Sequence, residues 1–168
     1  MLFTKHGDMT RKVFFSFHYE RDAWRAGIVR NSGITKEIAG FSDAADWEKI
    51  ASKGETAITN WIDDQLKGTS VTVVLIGAET NTRPYVKYEL KQSWVKDNGI
   101  LGIHIHQIKD SNKQTDIKGG VDFGINFIDS NKVGKSFAER FSIYDWVNND
   151  GYRNFDSWIE SAAEQVGK

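Results

Sequence analysis

Apolar positions come in short dense runs separated by stretches where they recur at helical spacing. Residues 13–17, Val-Phe-Phe-Ser-Phe, form an apolar and aromatic run of the kind buried on both faces as a central parallel strand. A polar turn, 18–22, leads into a helical pattern carrying Trp24, Ile28 and Val29, which ends at Asn31-Ser32-Gly33. Residues 34–41 hold a weak second strand. Residues 42–53 read as a variable loop or short helix bearing Trp47 and Ile50. A clearer helix spans 55–68, with Ile58, Trp61, Ile62 and Leu66 on one stripe and Gly68 as its stop. The run 70–76 is the strongest strand signal in the chain. A helix over 82–98 follows it, with Thr82 as the expected N-cap and Pro84 in the first turn, where its missing N–H leaves no hydrogen bond unmade. Residues 100–105 give the next strand. The segment 107–139 turns polar and glycine-rich around an apolar island at 121–128, and a segment of that length is either functional or mobile. A last strand at 141–147 and an amphipathic helix at 152–166 close the pattern. This alternation predicts an α/β fold, flavodoxin-like and doubly wound, with a mainly parallel sheet of about five strands and helices on both faces. One domain over 1–168 is expected, with 1–11 a flexible N-terminal segment.

Composition narrows the function classes. Without cysteine there is no disulfide, thiolate nucleophile or Cys-type zinc site, which suits a reducing cytosol. A formal net charge of -1, with basic residues scattered among acids, gives no electrostatic footprint for nucleic acid. No run reaches the about 20 apolar residues of a membrane span, and the first twelve residues lack a signal-peptide core. The expectation is a soluble cytoplasmic protein that binds neither nucleic acid nor membrane. His104 and His106 alternate on a strand and share a face, but no third metal ligand lies near them in sequence, so no metal is expected.

Among the charged residues, Glu89 is singled out by position. The helix that follows the strongest strand sets Thr82, Tyr85 and Glu89 along one face, close to where strand ends leave a ligand crevice, so that Glu89 is expected at an open edge. Fingerprints of other chemistries are missing. There is no Gly-x-Gly-x-x-Gly after the first strand, no Gly-x-x-x-x-Gly-Lys-Ser/Thr, no Gly-x-Ser-x-Gly, and no carboxylate ending the 70–76 strand.

The motifs that are present, Val13-Phe-Phe-Ser-Phe-His18, then Asp22, then Thr82-x-x-Tyr85-Val86-x-x-Glu89-Leu90, resemble those of the TIR domain family. Tyr85 stands where Trp is usual. The segment 43–54, the form Val-Leu-Ile-Gly-Ala-Glu-Thr and the extended 107–139 segment are similar to the bacterial TIR-like proteins of Thoeris antiphage defence. The resemblance implies an enzyme that cleaves NAD between nicotinamide and ribose, with NAD as substrate and no resident cofactor. Glu89 would be catalytic, and a cyclic ADP-ribose-type product would activate a separate effector protein. A phage-derived trigger and a homo-oligomer belong to the same expectation. Ser16, Phe17 and His18 would contribute to nucleotide binding at the end of the first strand, Tyr85 would stack on nicotinamide or wall off the ribose, and Arg83 would face a phosphate. Each has a plainer reading: Phe17 and Tyr85 as packing residues, His18 as a polar strand end, Arg83 as a solvated loop cation. At the level of the whole chain, the alternatives are a non-catalytic TIR assembly module in which Glu89 is structural and a flavodoxin-like binder of another nucleotide.

Overall fold

The computed structural model describes residues 11–34, 36–40 and 44–168. Five strands, β1 (Lys12–Ser16), β2 (Glu37–Ala39), β3 (Val71–Ile76), β4 (Gly99–His104) and β7 (Ser142–Asp145), form a sheet in the order β2-β1-β3-β4-β7, parallel throughout. Two further strands, β5 (Phe127–Ile128) and β6 (Gly134–Lys135), pair antiparallel as a separate ribbon. The helices are α1 (Ala23–Arg30), α2 (Ala44–Ala51), α3 (Glu55–Leu66), α4 (Pro84–Val95), α5 (Phe137–Arg140) and α6 (Gly151–Gln165).

Side chains alternate along each strand, so neighbouring residues feed different cores. Val73, Leu75, Leu101 and Ile103 join one cluster with Ala26 and Val29 of α1, Ile58 and Ile62 of α3, and Phe155 and Ile159 of α6. Val74, Ile76 and Ile100 join the other, with Val86 and Leu90 of α4 and with Phe123, Phe127 and Phe137. The apolar island of the long segment is therefore core. Asp122 and Asp129 accept backbone N–H groups of their own turns, and Arg140 donates to the carbonyls of Phe127 and Val133; the segment packs against α4 through Trp94, whose indole N–H donates to the Ile128 carbonyl at 3.0 Å.

Several boundaries differ from the sequence reading. The weak second strand shortens to Glu37–Ala39, whereas 42–53 takes the helical one of its two expected forms, over Ala44–Ala51; residues 41–43 lie outside the described residues. Residues 1–10 of the expected flexible segment also lie outside them, whereas Arg11 is pinned to Glu160 at 2.7 Å. Thr82 does not cap α4. It ends a 3-10 turn, Thr80–Thr82, and its hydroxyl donates back to the Glu79 carbonyl at 2.8 Å, so the N-cap falls to Arg83, in extended backbone before Pro84. Among the described residues no helix is long and apolar enough to cross a membrane.

Candidate active site

The first strand and the fourth helix meet at Glu89. Position 89 lies on the inward stripe of α4, between Val86 and Leu90, and the packing of that stripe carries the carboxyl under the end of β1. Glu89 is 0% exposed. The expectation of a carboxylate at an open edge is corrected here: the strand end is open, but Glu89 lies beneath it. Ser16 donates its hydroxyl to Oε1 at 2.7 Å, and the Tyr19 hydroxyl donates to Oε2. Burial pushes the Glu89 carboxyl up to about 8, while the two hydroxyl donors pull the other way. At neutral pH the group is mostly a neutral acid. Tyr19 responds in kind, its phenol raised well above the usual range first by burial and then by the adjoining carboxyl.

A buried polar ladder fixes the register of α4. Ser93 donates to the Glu89 carbonyl at 2.7 Å and shares a 2.6 Å hydrogen bond with Thr72 of β3; Asn98 donates to Thr69 and Thr72. Each group buried there finds a partner, which removes the penalty of leaving it unpaired.

In front of Glu89 lies a cleft of about 240 Å³, counted to its open mouth, lined by Phe17, His18, Tyr19, Glu20, Trp47, Arg83, Tyr85 and Val86. Aromatic rings run across it. Phe17 meets Tyr19 edge-on at 4.7 Å between centroids, Tyr19 meets Trp47 at 5.3 Å, and Trp47 meets Tyr85 at 5.2 Å. The Trp47 indole N–H donates to Glu20 Oε1 at 3.1 Å, tying α2 to the β1–α1 turn. At the rim, burial and then the Arg83 guanidinium push the His18 imidazole below its ordinary value, so it is neutral at pH 7.

A second cluster secures the turn that carries Tyr19. Asp22 is fully buried against Gly77; burial raises its carboxyl to about 6, and Arg21, 3.2 Å from Oδ1, opposes this. Arg21 forks onto both oxygens of Asp116, at 2.6 and 3.2 Å, and its Nε reaches Glu79 at 2.8 Å. Arg25 donates to the carbonyls of Ile108 and Gln114. The segment after β4 is thereby clasped to α1.

Of the residues singled out from sequence, Phe17, His18, Arg83 and Tyr85 share one cleft. Ser16 lies behind it as a partner of Glu89 rather than on its wall. Sequence reasoning missed Tyr19 and Trp47. An aromatic inside the otherwise polar 18–22 turn was the available signal for Tyr19; for Trp47, in a variable segment, there was none. His104 and His106 are both buried, their rings perpendicular at 5.7 Å, and among the described residues no three His, Cys, Asp or Glu side chains come together as a metal site.

Comparison with known proteins agrees with this layout. A family model described as "Thoeris protein ThsB, TIR-like domain" matches residues 14–110, which run from β1 through the cleft to the segment after β4. The chain is also 34% identical over 191 aligned residues to the protein named "Putative cyclic ADP-D-ribose synthase ThsB1" of Bacillus cereus (strain MSX-D12), an alignment covering 90% of this chain and 100% of that protein. With Ser16, the cleft and Glu89 all inside the matched region, the chain belongs to the TIR-like family of Thoeris ThsB proteins.

Proposed function

We propose that this protein cleaves the nicotinamide–ribose bond of NAD and closes the ADP-ribosyl group into a cyclic ADP-ribose-type signal of antiphage defence, with Glu89 as the catalytic residue. The name carried by its relative, a cyclic ADP-D-ribose synthase, supports the product class. The observation that carries the site assignment is Glu89 itself, a carboxyl held between two hydroxyl donors directly behind an aromatic cleft.

The chemistry asks little of a general acid. The bonding pair leaves with nicotinamide, a cationic ring departing as a neutral molecule, and C1′ of the ribose passes through an oxocarbenium-like transition state. A carboxylate beside the ribose accepts hydrogen bonds from its hydroxyls and stabilises the positive charge as it moves onto the sugar. Glu89 starts out mostly neutral. The incoming cationic ring favours its ionised form, so binding releases a proton and produces the carboxylate where it is used. Capture of C1′ by a nucleophile of the same molecule yields the ring-closed product, and a hydroxyl nucleophile loses its proton in that step.

Tyr85 and Trp47 supply apolar faces for nicotinamide, and an aromatic contact is worth about 0.5–1.5 kcal/mol beyond area burial. Arg83 and His18, side by side at the rim, supply donors for the pyrophosphate. The product diffuses to a separate effector protein, the enzyme works in the cytoplasm, and a phage-derived trigger and assembly into a homo-oligomer regulate it. A second reading, an assembly module in which Glu89 is structural, draws on the complete burial of that residue. Nicotinamide release from NAD by the purified protein, compared with Glu89→Gln, separates the two. Release by the wild type and its loss in the variant support catalysis, and equal release from both removes Glu89 from the chemistry.

A further inference from the structure

The cleft stops short of the carboxyl it serves. Phe17, Tyr19, Trp47 and Tyr85 line it, and Glu89, fully buried, does not. Once the open solvent at its mouth is left out, the cleft holds only about 20 Å³, far below the roughly 300–1,000 Å³ common among sites that enclose a small molecule. What stands between cleft and carboxyl is Tyr19. Its hydroxyl is on Glu89 Oε2, its ring edge is against Phe17, and one face leans on Trp47, which Glu20 holds through the indole N–H. Ser16 occupies the other carboxyl oxygen. Both oxygens therefore carry hydroxyl groups, as they would with the two hydroxyls of a ribose in place.

We propose that Tyr19 is the gate of the site: its hydroxyl holds on Glu89 Oε2 the place of a ribose hydroxyl, and NAD reaches the carboxyl by displacing it. This rests on the NAD-cleaving reading above. The exchange conserves hydrogen bonds, because one O–H donor replaces another and the buried oxygen is never left unpaired. What resists opening is the set of ring contacts with Phe17 and Trp47. Trp47 is tied both to the Tyr19 ring and to Glu20, so α2 and the β1–α1 turn open together. A closed site lowers apparent affinity in proportion to the fraction of molecules that are open, which is where an assembly step or trigger would act. Tyr19 is thus a positioning residue whose removal from Oε2 precedes chemistry.

Tyr19→Phe keeps the ring and deletes the hydroxyl. Because the lost donor also raises the Glu89 carboxyl, the pH-independent limits of the two steady-state profiles are compared: KM for NAD should fall about fivefold, with kcat within about twofold of the wild type, since beyond that rise the variant only shifts the closed-to-open balance. A purely structural Tyr19 would move the melting temperature and leave KM in place, and a Tyr19 that assists the transition state would lower kcat at constant KM; either result overturns the gate. Calorimetric binding of carba-NAD, a non-cleavable analogue, to the wild type and to Tyr19→Phe reads the same tightening without turnover and with both Glu89 acceptors intact, and equal affinities count against the proposal. If neither the wild type nor Tyr19→Phe releases nicotinamide and neither binds carba-NAD, the NAD reading falls and the gate with it; release by the wild type without the KM change removes the gate alone.

Discussion

The hydroxyl of Ser16, the last residue of β1, donates to Oε1 of Glu89 at 2.7 Å across a sequence separation of 73 residues. This bond favours the ionised carboxyl and so opposes the effect of burial. Ser16→Ala removes it without adding bulk. The Glu89 carboxyl then rises further, and the rising alkaline limb of kcat/KM, which reports the free enzyme's carboxyl, moves to higher pH. At pH 7 the variant should lose about three- to tenfold in kcat/KM and recover part of the loss above pH 8, as a pH-rate profile of both proteins would reveal.

The raised Glu89 carboxyl also has a stability consequence. Burial lifts it to about 8 in the folded protein, whereas the unfolded chain ionises near the ordinary glutamate value, so between the two the unfolded state holds fewer protons. Folding stability contributed by the neutral group is fully present below the unfolded value and is lost as pH rises through about 8. Relative to Glu89→Gln, which does not titrate, the wild type should lose up to about 1.4 kcal/mol per pH unit in that window. Urea denaturation of both proteins at pH 6 and pH 8.5 measures the difference. Parallel stability curves would show that the carboxyl is not buried as described.

Gly77 directly follows β3, with the Asp22 carboxylate lying on its backbone, where a Cβ would overlap Oδ2. Asp22 is hemmed in by Arg21 and cannot retreat without breaking the clasp to Asp116. Gly77→Ala should therefore cost about 2 kcal/mol as an overpacked site. In a chain of this size that lowers the melting temperature by roughly 4–8 °C, readable by calorimetry.

Arg83 and His18 share the rim of the cleft. If they hold the pyrophosphate, Arg83→Ala removes binding that is equal in ground and transition states, so KM for NAD should rise about tenfold with kcat nearly unchanged. The same variant should bind nicotinamide riboside, which lacks the pyrophosphate, as the wild type does. Equal loss for both ligands would place Arg83 elsewhere in the site.

The elements legible in the sequence were those whose apolar spacing is unambiguous. The dense runs of β1, β3 and β4 and the stripe of α3 appear within a residue or two of expectation. The 107–139 segment was opaque because Phe123, Phe127 and Phe137 reach the core from turns and short pieces, which have no period to detect. Glu89 was found by motif, yet its environment was not. Position on the first turns of a helix says which way a side chain faces, but whether the crevice there is open depends on Tyr19 and Trp47, brought in from distant segments by tertiary packing. The N-cap was misplaced because the Thr82 hydroxyl had a nearer acceptor in the Glu79 carbonyl.

Whether Glu89 makes the signal is decided by mass spectrometry of nucleotides from cells expressing the wild type or Glu89→Gln, with and without phage. A species of cyclic ADP-ribose mass should appear with the wild type on infection and be absent from the variant, which should also lose protection. Equal protection by both proteins, with no such species from either, would contradict a catalytic Glu89.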